Sequence, residues 1–330
     1  MIERNRRAFL AILVGVVWAA VPAWAGGEEK PAVDVRIDVE YGVANGKRLL
    51  LDAYVPAPEG DKVRPAVILI HGGGFRAGDK RSFEPEARRL AEKGWVAFSV
   101  NYRLDEPTAF PAEVEDVQAA VRWVRANAAE YQVDPERIGA LGESAGGHLT
   151  AMLATLGEGA LDRGARIRAG VAWSGPMDLT ELARLRGDQW GVPLLGCSLA
   201  ACPERFAAAS PIAHVDGTDA PLFLINSTEE LVPRSQAVAM ATRVEDLGAP
   251  TQLQIIPGTR HALDYRDEVW PQTDLFLQKH LASGDEGTSP GTIAFVATVA
   301  VVLLGAVLGT AVVLGRRRSA ATPAEVPTPV

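Results

Sequence analysis

Short and almost wholly apolar segments recur along the chain. They are AVILIHG (66–72), WVAFSVNYR (95–103), RIGALGES (137–144), AGVAWSG (169–175), PLFLINS (221–227) and QLQIIPG (252–258). Segments this apolar are typical of parallel strands that are covered on both faces. Upstream of them, the dipeptide NG at 45–46 separates two further strand-like segments, which predicts an antiparallel hairpin at the start of the sheet.

Amphipathic stretches lie between these apolar segments. They predict helices at 81–93, 111–130, 145–156, 235–248 and 265–280. In the second stretch Val114, Val117, Val121 and Val124 recur every three or four residues, so they form one apolar stripe that faces the sheet. The alternation of strand and helix predicts an α/β fold with a mostly parallel, doubly wound sheet.

Residues 176–219 break this alternation, because the segment is too long for an ordinary connection. It is rich in Pro, Gly and Leu, and we predict a short lid-like insertion over the rim of a site. Two interpretations of its large apolar residues stay open at this stage, the lining of an acyl pocket and a small satellite core. The residues are Leu182, Leu185, Trp190, Leu194 and Leu195.

Both ends of the chain differ from the body. Residues 1–25 carry arginines, then an apolar run and an A-x-A pattern, which predicts a cleaved signal peptide, with an uncleaved anchor as the alternative. Residues 291–315 are uncharged and would extend about 37 Å as a helix, enough to cross a bilayer, with a buried core helix as the alternative. Three arginines follow at once, so the tail 316–330 is predicted to be cytoplasmic and the body extracytoplasmic. Residues 26–281 would form the catalytic domain and 282–290 a polar linker.

The formal net charge is −8, and the dense arginine clusters lie only at the two ends, so the composition argues against a nucleic-acid partner. The two cysteines, Cys197 and Cys202, are predicted to form a disulfide, because export places them in an oxidising environment. They lack further ligands at metal-binding spacing, so a metal site is not expected there.

Candidate chemistry begins at Gly142-Glu143-Ser144-Ala145-Gly146, a G-x-S-x-G sequence between a predicted strand and a predicted helix. This pattern places a serine on a sharp turn, where it is exposed as a nucleophile beside the positive end of a helix. The alternative is a small residue in an ordinary turn. The chain has five histidines, and His261, just past the last predicted strand, is the candidate base for Ser144.

A carboxylate is expected between Ser144 and His261 in chain order, to orient the histidine. Glu229 and Glu230 follow the strand PLFLINS and supply it, while Asp178 and Asp264 are rival acids.

Consecutive glycines follow the strand AVILI within HGGGF (71–75). Their backbone N–H groups are suited to an oxyanion, so the predicted donors are the N–H groups of Gly72, Gly73 and Ala145.

The segments HGGGF, VNYRL, GESAGG, SGPMDL, LVP and PGTRHAL, within residues 47–281, resemble the α/β-hydrolase carboxylesterases, particularly the acetyl-esterase and hormone-sensitive-lipase-like branch. The resemblance implies an ester hydrolase with Ser144 as nucleophile and His261 as base. In that family the acid precedes a Val-Pro pair by three positions, which favours Glu229 over Glu230. Relatives generally carry aspartate there, often after His-Gly, whereas this chain has Ile225-Asn226.

The expected function is therefore a membrane-tethered serine esterase that acts on a small-molecule ester, with a preference for short acyl chains. The mechanism requires no metal or organic cofactor. A prolyl-oligopeptidase-type peptidase shares the triad logic, but HGGG and the lack of a propeller-like segment argue against it. An inactive hydrolase scaffold used for adhesion is the remaining alternative, since fold alone never proves activity.

Overall fold

One sheet of eight strands organises the part of the chain that the computed structural model describes, residues 32–104, 110–157, 160–187 and 191–282. The strand order is β1-β2-β4-β3-β5-β6-β7-β8. The strands are β1 (Val33–Ala44), β2 (Lys47–Pro56), β3 (Arg64–Ile70), β4 (Val96–Val100), β5 (Val133–Glu143), β6 (Gly170–Trp173), β7 (Leu222–Ser227) and β8 (Thr251–Ile256).

The first two strands form the predicted hairpin. β1 and β2 pair in antiparallel fashion, and Asn45 and Gly46 at the turn have φ values of 51° and 74°. Positive φ at both central residues is what a tight two-residue hairpin turn requires, and Asn and Gly adopt it most readily. β2 also pairs antiparallel with β4, and from β4 to β8 the sheet is parallel, as the apolar segments predicted.

Helices cover both faces of the sheet. They are α1 (Glu84–Glu92), α2 (Ala112–Ala126), α3 (Ala145–Thr155), α4 (Leu179–Arg186), α5 (Val192–Leu195), α6 (Pro203–Ala208), α7 (Arg234–Asp246) and α8 (Arg266–Leu281), with 3-10 turns at Lys80–Phe83, Pro211–His214 and Ala262–Tyr265. The five predicted helices correspond to α1, α2, α3, α7 and α8 within a few residues. The α/β-hydrolase fold predicted from the sequence is therefore confirmed in its mostly parallel sheet.

Strand β3 shows why its sequence is apolar throughout. Ala66, Ile68 and Ile70 point into a core shared with α2, α3 and α7, whereas Val67 and Leu69 point into a second core shared with α1 and α8. Alternate side chains of a strand face opposite sides of the sheet, so a strand covered on both sides needs apolar residues at every position.

The predicted stripe on α2 is also present. Val117, Val121 and Val124 are fully buried and Val114 is 3% exposed. These side chains pack into the same core as α3 and α7, so the 3.6-residue period predicted the contact face correctly.

The connection between β6 and β7 contains α4, α5 and α6, which the sequence did not predict as helices. Cys197 and Cys202 form the predicted disulfide within it. Of its large apolar residues, Leu182, Leu194 and Leu195 are buried. Leu185 is 57% exposed, and Trp190 lies outside the described residues.

The predicted signal peptide, membrane span and tail lie outside the described residues, as does the predicted linker beyond residue 282. None of the helices within the described part of the chain combines the length and the apolar composition that a bilayer crossing needs.

Candidate active site

Ser144 occupies the turn between the end of β5 and the start of α3. Its backbone has φ 52° and ψ −116°, which lies outside the ordinary regions for a residue with a side chain. The two glycines of the motif allow this turn to form. A Cβ on Gly142 would lie 2.1 Å from the carbonyl oxygen of Gly146, and one on Gly146 would lie 1.9 Å from that of Ile70. Backbone packs directly on backbone here, so the motif residues meet a steric requirement.

His261 lies on the loop between β8 and the 3-10 turn at Ala262–Tyr265. Its Nε2 is 2.9 Å from the hydroxyl oxygen of Ser144, and its Nδ1 contacts a carboxylate oxygen of Glu230. A carboxylate only accepts hydrogen bonds, so the Nδ1–H donates to Glu230 and Nε2 is left to accept from the Ser144 hydroxyl. This is the arrangement in which a histidine acts as a base toward a serine.

The acidic side chain in contact with His261 is that of Glu230. The sequence favoured Glu229 as the acid, and the structure corrects this to the alternative, Glu230. Glu229 is exposed, and its N–H donates to the carbonyl oxygen of Gly258 at 3.0 Å. The side chain of Glu230 folds back over the end of β7 and is wholly buried. Glu229 was favoured because it lies three positions before the Val-Pro pair. In the turn after β7, however, the backbone directs the side chain of Glu230 toward His261.

Three donors hold the carboxylate of Glu230. Its Oε1 accepts from the N–H of Ser227 at 2.7 Å, from Nδ2 of Asn226 at 2.8 Å and from the hydroxyl of Ser174 at 2.9 Å. These contacts satisfy a buried charge, and they leave Oε2 aimed at His261.

The rival acids and histidines have other partners. Asp178 caps α4 by accepting from the N–H of Glu181, and Asp264 is exposed. His148 donates from Nε2 to the carbonyl oxygen of Ala209 at 2.7 Å, and burial lowers its pKa to about 4. Burial also lowers the pKa of His71 in the HGGG segment. Both imidazole rings bond to backbone carbonyl oxygens, that of Ala209 for His148 and that of Gly72 for His71, and not to the hydroxyl of Ser144.

The oxyanion expectation is corrected at Gly72. Its N–H donates to Oε1 of Glu143 at 2.5 Å, so this donor is already occupied. Gly73 and Gly74, with φ values of 107° and 64°, line the cavity beside Ser144 together with Ala145, the first residue of α3. The available donors are therefore the N–H groups of Gly73, Gly74 and Ala145, at a turn and a helix N-terminus that favour negative charge.

Glu143 also departs from expectation, since the sequence argument gave it no role. It is 8% exposed, it lines the cavity next to Ser144, and burial raises the pKa of its carboxyl group. Its contact with Gly72 links the end of β5 to the glycine loop after β3. A Cβ on Gly72 would lie 2.5 Å from this carboxylate, so a larger residue here would displace the end of the Glu143 side chain.

A cavity of about 460 Å³ opens at Ser144 and His261. Its walls are mostly apolar, and the β6–β7 connection supplies several of them. The apolar side chains among the lining residues are Phe75, Pro176, Leu179, Leu194, Leu231 and Val232. Of the five apolar residues predicted for this connection, Leu194 lines the cavity, while Leu182 and Leu195 are buried in the core.

The described residues contain no cluster of three or more His, Cys, Asp or Glu side chains suited to holding a metal ion. The site is thus built from a serine, a histidine, a buried glutamate and backbone donors beside an apolar cavity. Together with the fold, this defines the class of α/β-hydrolases with a nucleophilic serine turn.

The chain belongs to the BD-FAE family, whose profile matches residues 51–244. Esterase LipQ of Mycobacterium tuberculosis is 31% identical over 242 residues, 69% of this chain and 57% of LipQ. The probable carboxylic ester hydrolase LipM of the same organism is 30% identical over 273 residues, 76% of this chain and 62% of LipM. The resemblance to carboxylesterases is thereby confirmed, although the chain spans only about 57% to 62% of the length of these curated relatives.

Solved structures share the fold. A truncated carbohydrate esterase from gut microbiota superposes with a TM-score of 0.68 at 25% identity, covering 78% of this chain and 99% of that chain. Est2, a thermophilic esterase from Thermogutta terrifontis, in a propionate-bound structure, gives a TM-score of 0.64 at 26% identity, covering 77% of this chain and 97% of that chain. The same enzyme has been solved phosphorylated by paraoxon, with a TM-score of 0.63 at 25% identity.

Proposed function

We propose that the protein is a serine carboxylesterase that hydrolyses small-molecule esters through an acyl-enzyme. The observation that carries this proposal is the hydrogen-bonded series from the Ser144 hydroxyl through His261 to the buried carboxylate of Glu230. Membership of a family whose relatives are named esterases supports it.

In acylation, His261 Nε2 takes the hydroxyl proton of Ser144 as Oγ attacks the ester carbonyl carbon. The carbonyl π electrons move to oxygen, and this oxyanion is stabilised by the N–H groups of Gly73, Gly74 and Ala145. When the tetrahedral intermediate collapses, the C–O bond to the alcohol breaks and His261 returns the proton to the leaving alcohol.

Deacylation repeats the sequence with water. His261 removes a proton from water as the water oxygen attacks the acyl carbon, and it then protonates Oγ of Ser144 as the carboxylic acid leaves. The carboxylate of Glu230 stabilises the imidazolium that forms at each step. All proton transfers take place between Ser144, His261, substrate and water.

The proposed substrates carry short acyl chains. The cavity of about 460 Å³ lies at the small end of the usual range for ligand sites, and its apolar walls suit an acyl group or a compact apolar alcohol. Propionate bound to the Thermogutta esterase also supports a short acyl product. Rates with p-nitrophenyl esters should fall as the acyl chain lengthens from acetate to laurate, and a steady rise would contradict the preference.

We further propose that the catalytic domain is extracytoplasmic and tethered to the bilayer by residues 291–315. The support is the sequence, an uncharged segment of membrane-spanning length that is followed by Arg316, Arg317 and Arg318. Protease treatment of intact cells tests the orientation. Cleavage of the body with protection of the tail is expected, and protection of the body would contradict it.

The activity is tested by hydrolysis of p-nitrophenyl acetate with the purified protein and a Ser144→Ala variant of equal circular dichroism. Turnover by the wild type with loss of at least about 10⁴-fold in the variant is expected. Equal background rates would favour an inactive scaffold, and cleavage of an aminoacyl amide in preference to the ester would favour a peptidase.

A further inference from the structure

Ser174 lies one strand away from Ser144 in the sheet and has the same positive φ. It follows the end of β6, has φ 52°, and its N–H donates to the carbonyl oxygen of Ile225 at 2.7 Å. Its side chain is fully buried, unlike that of Ser144. A buried residue held at positive φ persists only where its surroundings fix it, and such strain clusters at functional sites.

The hydroxyl of Ser174 has three partners. It lies 2.9 Å from Oε1 of Glu230, 3.0 Å from the backbone nitrogen of Ala262 and 2.7 Å from the hydroxyl of Tyr265. The carboxylate only accepts and the N–H only donates, so Ser174 donates its single proton to Glu230 and accepts from Ala262. The Tyr265 hydroxyl then donates, either to Ser174 or to the carbonyl oxygen of Ile225 at 3.1 Å.

Ser174 joins one member of the proposed catalytic triad to the backbone beside another. Glu230 is the acid, and Ala262 directly follows the base, His261. Ala262 is itself at φ 49°, so the backbone next to the histidine is strained and needs a fixed partner. A single hydroxyl therefore connects the carboxylate of Glu230 to the backbone next to the imidazole.

We infer that Ser174 is a positioning residue that holds Glu230 and the His261 loop in register for proton transfer, an inference that rests on the proposed ester hydrolysis. Removal of the hydroxyl leaves Glu230 with the donors Asn226 and Ser227, so the charge stays satisfied. What is lost is the link between Glu230 and Ala262, so the contact of Glu230 with His261 depends on the remaining hydrogen bonds alone.

The test compares Ser174→Ala and Ser174→Gly with the wild type. Both lack the hydroxyl, and glycine also relieves the positive φ, so it folds even if the alanine variant does not. With p-nitrophenyl acetate, kcat should fall roughly 10- to 100-fold in both variants, the loss expected for a hydrogen bond to a charged group, while KM changes little.

Tyr265→Phe is the matched control, because it removes a hydroxyl that contacts Ser174 without touching Glu230 or His261. Its kcat should stay within about threefold of the wild type. A second readout is the low-field proton NMR signal of His261 Nδ1–H, which should broaden or move upfield in both Ser174 variants and stay unchanged in Tyr265→Phe.

Wild-type kcat and an unchanged proton signal in both Ser174 variants would overturn the inference. Equal losses in Tyr265→Phe and the Ser174 variants, or failure of both Ser174 variants to fold, would also overturn it, since these results indicate a structural role. Lack of ester hydrolysis by the wild type would contradict the proposed function instead, and the proton signal still tests the Ser174 contact.

Discussion

Two neighbouring turns at the ends of β5 and β6 place a serine at the same positive φ but in different roles. Ser144 after β5 and Ser174 after β6 both have φ 52°. The first presents its hydroxyl to the cavity and to His261, whereas the second is buried behind Glu230. One turn displays a reactive group, and the other fixes the groups that activate it.

The two turns also differ in what the sequence shows. Ser144 is found from five consecutive residues, because its requirements for close packing are met by Gly142 and Gly146 beside it. Ser174 has partners 56, 88 and 91 residues away. A local motif therefore predicts a displayed nucleophile, and only the fold shows the residue that supports it.

The contrast is tested most strongly at Glu230, where the network of Ser174 meets His261. Glu230→Gln keeps the shape but removes the charge, so kcat for p-nitrophenyl acetate should fall about 1,000- to 10,000-fold. Glu229→Gln is the matched control, and because Glu229 is exposed, its kcat should stay within about twofold. The reverse order of the two losses would restore Glu229 as the acid.

Packing at the two turns is compared by Gly146→Ala and Gly175→Ala. The new methyl meets the carbonyl oxygen of Ile70 at 1.9 Å in the first, but backbone atoms at 2.7 Å or more in the second. Denaturant unfolding should show a loss of at least about 3 kcal/mol for Gly146→Ala and a smaller one for Gly175→Ala.

The control for these two variants is Gly248→Ala, at positive φ in open space, where about 1 kcal/mol is expected. Equal costs at all three positions would contradict the close approach that the structure shows at Gly146.

His148 lies on α3, which follows Ser144. Its ring bonds to the carbonyl oxygen of Ala209 in the β6–β7 connection, which follows Ser174. Its pKa is lowered from 6.5 to about 4 in the folded protein, so the unfolded chain binds the extra proton between these values. Stability is thus lost as pH falls through this window, by about 2 kcal/mol between pH 7 and pH 5. Urea unfolding at pH 7 and pH 5 measures this loss. The drop in the free energy of unfolding between the two pH values should be about 2 kcal/mol smaller in His148→Gln than in the wild type. An identical pH dependence in both proteins would contradict the lowered pKa.

A modest effect on stability is also expected at the disulfide in the connection after β6. Cys197 and Cys202 are five residues apart, so the chain-entropy model gives up to roughly 2 kcal/mol. The double variant Cys197→Ser/Cys202→Ser should lower the unfolding midpoint accordingly while kcat is retained. A large loss of kcat without a change in midpoint would show that the connection shapes the cavity directly.

The elements of the sheet were predictable because burial on both faces demands continuous apolar segments, as in β3. Helices α4, α5 and α6 were not, because they span only eight, four and six residues, too short for an apolar period to repeat. The choice between Glu229 and Glu230 depends on the backbone conformation of the turn after β7. Residue spacing along the sequence does not show which of two adjacent side chains faces His261. The N–H of Gly72 likewise has a partner, Glu143, from 71 residues away.

In the proposed mechanism Ser144 is the nucleophile, and the buried Ser174 is not. Incubation with paraoxon followed by peptide mass spectrometry tests it directly, since the reagent forms a phosphoryl bond to an activated serine oxygen. We expect one diethyl phosphoryl group on the peptide that contains Ser144, no group on the peptide that contains Ser174, and no labelling of folded Ser144→Ala. Unlabelled wild-type protein, or an adduct that persists in Ser144→Ala, would contradict it.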